Sequence, residues 1–145
     1  MCVYYYSYSD YMKRRELVDI LKDKYIDNVV MIKYGNFYRV FYPDSIIIWG
    51  ITNYKIVDDD RIGFPISSIE KIKNRLNILN INYVIYDSEI ANNNICFDNN
   101  KYKEYLDKYL EMYSKKIRVD KVIDKFKNVI ENDEEKLKYY EERIQ

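Results

Sequence analysis

Phe37 and Arg39 are the residues whose types and spacing best suit contact chemistry, and they follow the dipeptide Gly35-Asn36. If a strand begins at Phe37, a spacing of two sends both side chains out of the same face. An apolar ring beside a hydrogen-bonding cation is a device for contacting a nucleobase, the ring stacking or wedging while the guanidinium donates. Lys33, Asn36 and Tyr38 complete this candidate DNA-contact set. The same spacing also fits a plainer arrangement, with Phe37 half buried against the sheet and Arg39 a surface cation on an edge strand.

Other chemistry is narrowly bounded. The sequence has no histidine, which removes His-based triads, His general bases and His-ligated zinc. Cys2 and Cys96 form neither a disulfide framework nor a metal motif and read as reduced thiols. No glycine-rich phosphate loop occurs, so nucleotide hydrolysis and nicotinamide chemistry are disfavoured. The remaining catalytic option is a set of carboxylates near strand ends, Asp44, Asp87 and Glu89, holding magnesium in a nuclease-type site. Their spacing matches no metal motif. The expectation is therefore a protein that is not an enzyme, with no metal and no cofactor.

The elements that must position these residues follow from periodicity. Ser9 or Asp10 can cap a helix running to about Tyr25, with Leu17, Val18, Leu21 and Tyr25 on one face. Lys13, Arg14 and Arg15 sit in its early turns as candidates for phosphate contact. Val29 to Lys33 reads as a strand, Gly35-Asn36 as a two-residue hairpin loop, and Phe37 to Tyr42 as the returning strand. Pro43-Asp44-Ser45 breaks it. Ile46 to Thr52 is a continuous apolar run whose branched residues favour a buried strand. Asn53 to Arg61, with the run Asp58-Asp59-Asp60, reads as a solvated loop. Ile62-Gly63-Phe64-Pro65 punctuates the chain before a helix that a Ser67–Glu70 capping box would open. Ile69, Ile72, Leu76 and Leu79 give that helix its apolar face, and Asn80 ends it. Tyr83 to Tyr86 reads as a central strand, Glu89 to Asn94 as a polar loop, and Ile95 to Phe97 as a short strand. The Tyr-rich N-terminus fits either an edge strand or a loose segment.

Beyond Asn99 the pattern is purely helical: Tyr102, Tyr105, Leu106, Tyr109, Leu110 and Tyr113, then Val119, Val122, Ile123, Phe126, Ile130, Leu137, Tyr140 and Ile144. This fits one long helix or a pair with a bend near Ser114 to Arg118. Lys115, Lys116 and Arg118 open a basic stretch that could face phosphates or solvent. Acidic residues dominate after it. The apolar stripe could pack on the α/β part or pair with another helix, but it is too short and interrupted for a coiled-coil assignment. The expected organisation is an α/β domain over 1–98, a mixed sheet flanked by helices, and a helical extension over 99–145.

The stretch from about Tyr11 to Asp87 resembles the N-terminal mismatch-recognition domain of the MutS family of DNA mismatch repair proteins. Three pieces carry the resemblance. Gly35-Asn36-Phe37-Tyr38-Arg39-Val40-Phe41-Tyr42-Pro43-Asp44 is similar to the family's Gly-Asp-Phe-Tyr-Glu-x-Phe-x-x-Asp segment. Ile62-Gly63-Phe64-Pro65 is similar to its Gly-x-Pro turn. The helix from Ser67 to Leu79 and the strand Tyr83 to Tyr86 follow in the same order. The resemblance implies that Phe37 wedges into a duplex from the minor groove at a mispaired base, where unstacking is least costly. Arg39 stands where the family has a glutamate, so it brings donors and a fixed charge in place of an acceptor. It can address minor-groove acceptors or a phosphate. The region from Asp44 to Ile51 looks shorter than the family's, which has a helix there. The tail from Asn99 has no counterpart in the resemblance, and no clamp or ATPase domain accompanies the chain.

Two functions of different kinds are thus expected. One is an ATP-independent DNA-binding module for mispaired or distorted duplex. The other is a protein-interaction or regulatory module that keeps the fold without DNA contact and uses the C-terminal helices for a partner or a homodimer. With 24 Lys and Arg against 24 Asp and Glu, attraction to DNA must be local rather than a whole-chain property. Apolar content of 48% supports a packed core. With no run of about eighteen apolar residues and no signal-peptide pattern, the expected setting is cytoplasmic, away from membranes.

Overall fold

Val29-Val30-Met31-Ile32 is buried on both faces, as expected for a strand at the centre of a sheet covered by helices on both sides. The computed structural model describes the backbone of residues 8–87 and 89–144, and the side chains of 13–87 and 95–144. The Tyr-rich N-terminal segment lies outside the described residues. The chain divides into two compact units, Met1–Tyr109 and Leu110–Gln145.

The first unit is an α/β layer structure. Its elements are α1 (Tyr8–Lys24), β1 (Val29–Tyr34), β2 (Phe37–Phe41), α2 (Asp44–Thr52), β3 (Arg61–Pro65), a 3₁₀ turn (Ile66–Ser68), α3 (Ile69–Ile78), β4 (Tyr83–Asp87), β5 (Glu89–Ile95) and the start of α4 (Tyr102–Glu131). The sheet order is β3-β2-β1-β4-β5, with β1 and β4 parallel and the other pairs antiparallel. The parallel pair is joined by the crossover through β2, α2, β3 and α3, the segment that shapes the candidate site.

Four expectations are corrected. Asp44–Thr52 is a helix rather than a strand. Residues Asp44 to Trp49 are all buried, and a helix buried all round shows no amphipathic stripe, so its sequence reads as an unbroken apolar run. Asn53 closes it in a left-handed conformation, its N–H donating to the Trp49 carbonyl at 2.8 Å. Second, Ile62-Gly63-Phe64-Pro65 belongs to edge strand β3, with Ile62 and Phe64 alternating into the core. Phe64 stacks on Tyr38 at 5.6 Å between ring centroids. Third, Ser67 forms no capping box. The chain enters α3 through the 3₁₀ turn, and Ser68 holds the N-cap in helical dihedrals without a side-chain hydrogen bond, because a capping side chain needs an extended residue. Fourth, Glu89 to Asn94 is a strand, paired antiparallel with β4, and it ends at Ile95, so Ile95 to Phe97 is no separate strand. Backbone hydrogen bonding satisfies this polar segment at the sheet edge whatever its side chains.

Helix α1 begins at Tyr8, so the expected caps Ser9 and Asp10 fall inside its first turn. The Asp58-Asp59-Asp60 run makes a tight turn. Asp58 and Asp59 have positive φ, and the Val57 N–H donates to the Arg61 carbonyl at 2.8 Å. Short polar side chains tolerate that conformation. Helix α4 runs unbroken through Ser114 to Arg118. Its first turns belong to the first unit, where Tyr102 and Tyr109 are buried.

The second unit contains the rest of α4 and α5 (Glu134–Glu141). Asp133 caps α5, accepting from the Lys136 N–H at 3.2 Å. Phe126 and Tyr140 meet edge to face at 4.7 Å, so α5 packs back on α4. Among the described residues no helix is long and apolar enough to cross a membrane.

Candidate functional site

The two faces of the sheet are covered unequally. Alternation along β2 sends Tyr38 and Val40 towards α2 and α3, and Phe37, Arg39 and Phe41 towards α1. On that second face α1 lays Val18 and Leu21 over Val30, Ile32, Val84 and Phe41, with Leu17, Tyr25, Tyr34 and Tyr86 packed at the margin. Among the described side chains, this cover stops short of the β2–β3 edge. Phe37 remains 53% exposed. It pairs with Pro65 on one side and Tyr34 on the other, while Arg39 pairs with Gly63 and Ile32.

The hairpin fixes this position. Gly35 has positive φ, at +57°, and Asn36 does not, the pattern of a type II′ loop with glycine first. The Asn36 carbonyl accepts from the Ile66 N–H at 3.1 Å, tying the hairpin tip to the end of β3. Asn36 is thus an exposed turn residue beside Phe37.

Phe37, Arg39, Val57, Arg61 and Gly63 line a groove of about 350 Å³, within the size range of small-ligand sites. Gly63 forms its floor. A Cβ there would meet only the Tyr38 carbonyl, at 3.9 Å, so the missing side chain leaves open space. Arg61 also reaches Asp58 at 3.4 Å. From α1, Arg15 lies over the Phe41 ring at 5.4 Å and pairs with Asp60 at 3.4 Å. Arg14 lies over the Tyr34 ring at 3.8 Å. Four arginines therefore border one sheet face, with Asp58 and Asp60 as counter-charges.

Not every expected contact residue is on this face. Tyr38 is buried against Phe64 on the opposite side and serves the core. Lys33 pairs in register with Tyr38, shares its side, and reaches Asp87 at 3.4 Å. Both miss the groove because adjacent strand residues alternate. Lys13 is exposed on α1. Lys115, Lys116 and Arg118 are exposed on α4 in the second unit. There Asp120 accepts from Lys116 at 2.8 Å and holds the ammonium pKa above its ordinary value. Sequence reasoning missed Val57, Arg61 and Gly63. Reading Arg61 to Pro65 as a strand would have placed Arg61, Gly63 and Pro65 on one face.

Among the described carboxylates, Asp44 and Asp87 form no common site. Asp44 is 2% exposed. It accepts from the Val30 N–H at 2.9 Å, from the Lys22 ammonium at 2.8 Å and from the Tyr102 hydroxyl. Lys22 also donates to the Asn28 carbonyl at 2.6 Å. Burial pushes the Asp44 pKa up, against the pull of Lys22 and the hydrogen bonds. Burial first, then the Asp44 charge, raises that of Tyr102. This cluster locks α1, β1, α2 and α4 together. Asp87 is exposed beside Lys33, and the Glu89 side chain lies outside the described ones. Among the described residues no three His, Cys, Asp or Glu side chains gather to hold a metal ion. No family model matches the chain, and no curated protein is similar to it.

Proposed function

We propose that the chain binds DNA through the open β2–β3 strip, with Phe37 entering a weakened base step and Arg39 donating to minor-groove acceptors or a phosphate. One observation carries this reading. Phe37 stands half exposed at a hairpin tip, beside an arginine and a side-chain-free floor at Gly63, while Val30, Ile32, Phe41 and Val84 of that face lie under α1. An inserted ring costs a few kcal/mol of unstacking, least where pairing is already broken. The preferred target is therefore a mispaired or distorted duplex.

Two further features support the reading. Helix α2 follows the Phe37 strand directly, at the place where the resemblance expects a helix. Arg14, Arg15 and Arg61 border the same face and suit the phosphates flanking an inserted ring. Binding is ATP-independent, in keeping with the missing nucleotide loop.

The test is fluorescence anisotropy at low salt with matched, single-mismatch, looped and single-stranded probes. The native chain is expected to prefer the disrupted duplexes, with affinity falling steeply as salt rises. Phe37→Ala is expected to weaken that binding at least tenfold and to erase the preference. Equal binding of all probes, unchanged in the variant, would reduce the interaction to phosphate contact; no binding would end the proposal.

A further inference from the structure

The second unit carries an apolar stripe that α5 covers only at Phe126. Met112, Val119 and Ile123 are 47%, 46% and 55% exposed, and with Phe126 and Ile130 they recur at the spacing of one helix face. Helix α5 lies to one side of this stripe. Tyr140 packs on Phe126, and Val122, Lys125, Phe126, Val129, Lys136 and Tyr140 line the crevice between the helices. On the N-terminal side, Lys115, Arg118, Val119, Val122 and Ile123 border an open depression of about 500 Å³.

The charge around the stripe is polar in direction. From Leu110 to Ile130 there are six Lys and Arg against three Asp and Glu, while at the far end of α4 Glu131, Asp133, Glu134 and Glu135 stand against Lys136 alone. A surface that is basic at one end, acidic at the other and apolar between is complementary to itself when turned end for end. We infer that the occupant of this stripe is a second copy of the chain, its α4 running antiparallel across a two-fold axis near residues 124 and 125. That axis sets Val119 opposite Ile130 and Ile123 opposite Phe126 of the second copy. It brings Lys115, Lys116 and Arg118 near the second copy's Glu131 to Glu135. A parallel arrangement would stack like charges and is disfavoured. The contact is a short helix pairing rather than an extended coiled coil.

The experiment is sedimentation equilibrium on the full chain at about 100 µM, where a dimer with a Kd of about 1 µM is nearly complete. The expected mass is twice 17.8 kDa, falling to the monomer mass in Ile123→Asp with an unchanged far-UV spectrum. Direction is read by oxidation after Cys2→Ser and Cys96→Ser. Val119→Cys with Ile130→Cys forms a disulfide-linked dimer, and neither cysteine does so alone, because each is about 16 Å from its own symmetry mate along the helix. A monomeric native chain, a dimer indifferent to Ile123→Asp, or ready linkage through Val119→Cys alone would each overturn the inference.

Discussion

Two polar constellations in the first unit use similar residues to opposite ends. The Asp44–Lys22–Tyr102 cluster uses its hydrogen-bonding capacity internally: the carboxylate accepts from an ammonium, a phenol and a backbone N–H, all within the protein. The Phe37–Arg39–Arg61 strip instead lines a groove, with Phe37 half exposed in it. The difference lies in coverage. Four elements converge on Asp44, whereas Phe37 stays 53% exposed. Buried charge must be satisfied locally or it destabilises the fold, so the first constellation can do little except hold elements together. The second keeps an apolar ring half in water, and a ligand covering it recovers on the order of 1 kcal/mol.

The sharpest way to break the comparison is to unpair the buried cluster. Lys22→Met keeps the stem but removes the ammonium, leaving Asp44 buried with two donors. Removing one partner of a buried ion pair costs about 3–5 kcal/mol. With the Lys22 side chain 22% exposed, a loss of about 3 kcal/mol is expected in urea denaturation. A loss below about 1 kcal/mol would show that water reaches Asp44 and that the contrast between the two regions is false.

The next effect is a pH dependence. The folded chain raises the Tyr102 pKa above its ordinary 10.0, through burial and then the Asp44 charge. Above pH 10 the unfolded chain releases a proton that the folded chain keeps. The stabilisation is therefore complete below pH 10 and declines as pH rises from there, by up to about 1.4 kcal/mol per pH unit for this group. Tyr102→Phe is expected to flatten that part of the stability profile. Equal slopes in the variant and the native chain would place the loss on other groups.

The two regions also differ in how far the sequence reveals them. Phe37 and Arg39 were legible because a Gly-Asn turn fixes the register and the strand period fixes the face; the same rule, applied strictly, removes Tyr38 and Lys33 from the site. The groove's other wall was not legible. Gly63 and Pro65 look like punctuation, since an edge strand needs few side chains of its own when its partner supplies the hydrogen bonds. The Asp44 cluster was hidden for another reason. Lys22, Asp44 and Tyr102 are far apart in the chain and meet only through tertiary packing, and the helix that carries Asp44 is too buried to show a period. The sheet-and-helix class was readable throughout, because β1, β4 and α3 each have a strong local pattern.

The smallest effect on stability gives the sharpest separation of the two roles. Gly63→Val adds a branched side chain to an edge strand at a position where the new Cβ meets only a carbonyl at 3.9 Å. Valine suits a strand better than glycine by roughly 0.5–1 kcal/mol, so the fold should be unchanged or slightly more stable. The same side chain rises from the floor of the groove between Arg39 and Val57 and obstructs whatever approaches Phe37. Weaker binding of mismatched duplex in a variant that melts no lower than the native chain would place function in the open space itself. If binding survived intact, the groove floor would be incidental, and Phe37 at the hairpin tip would act without it.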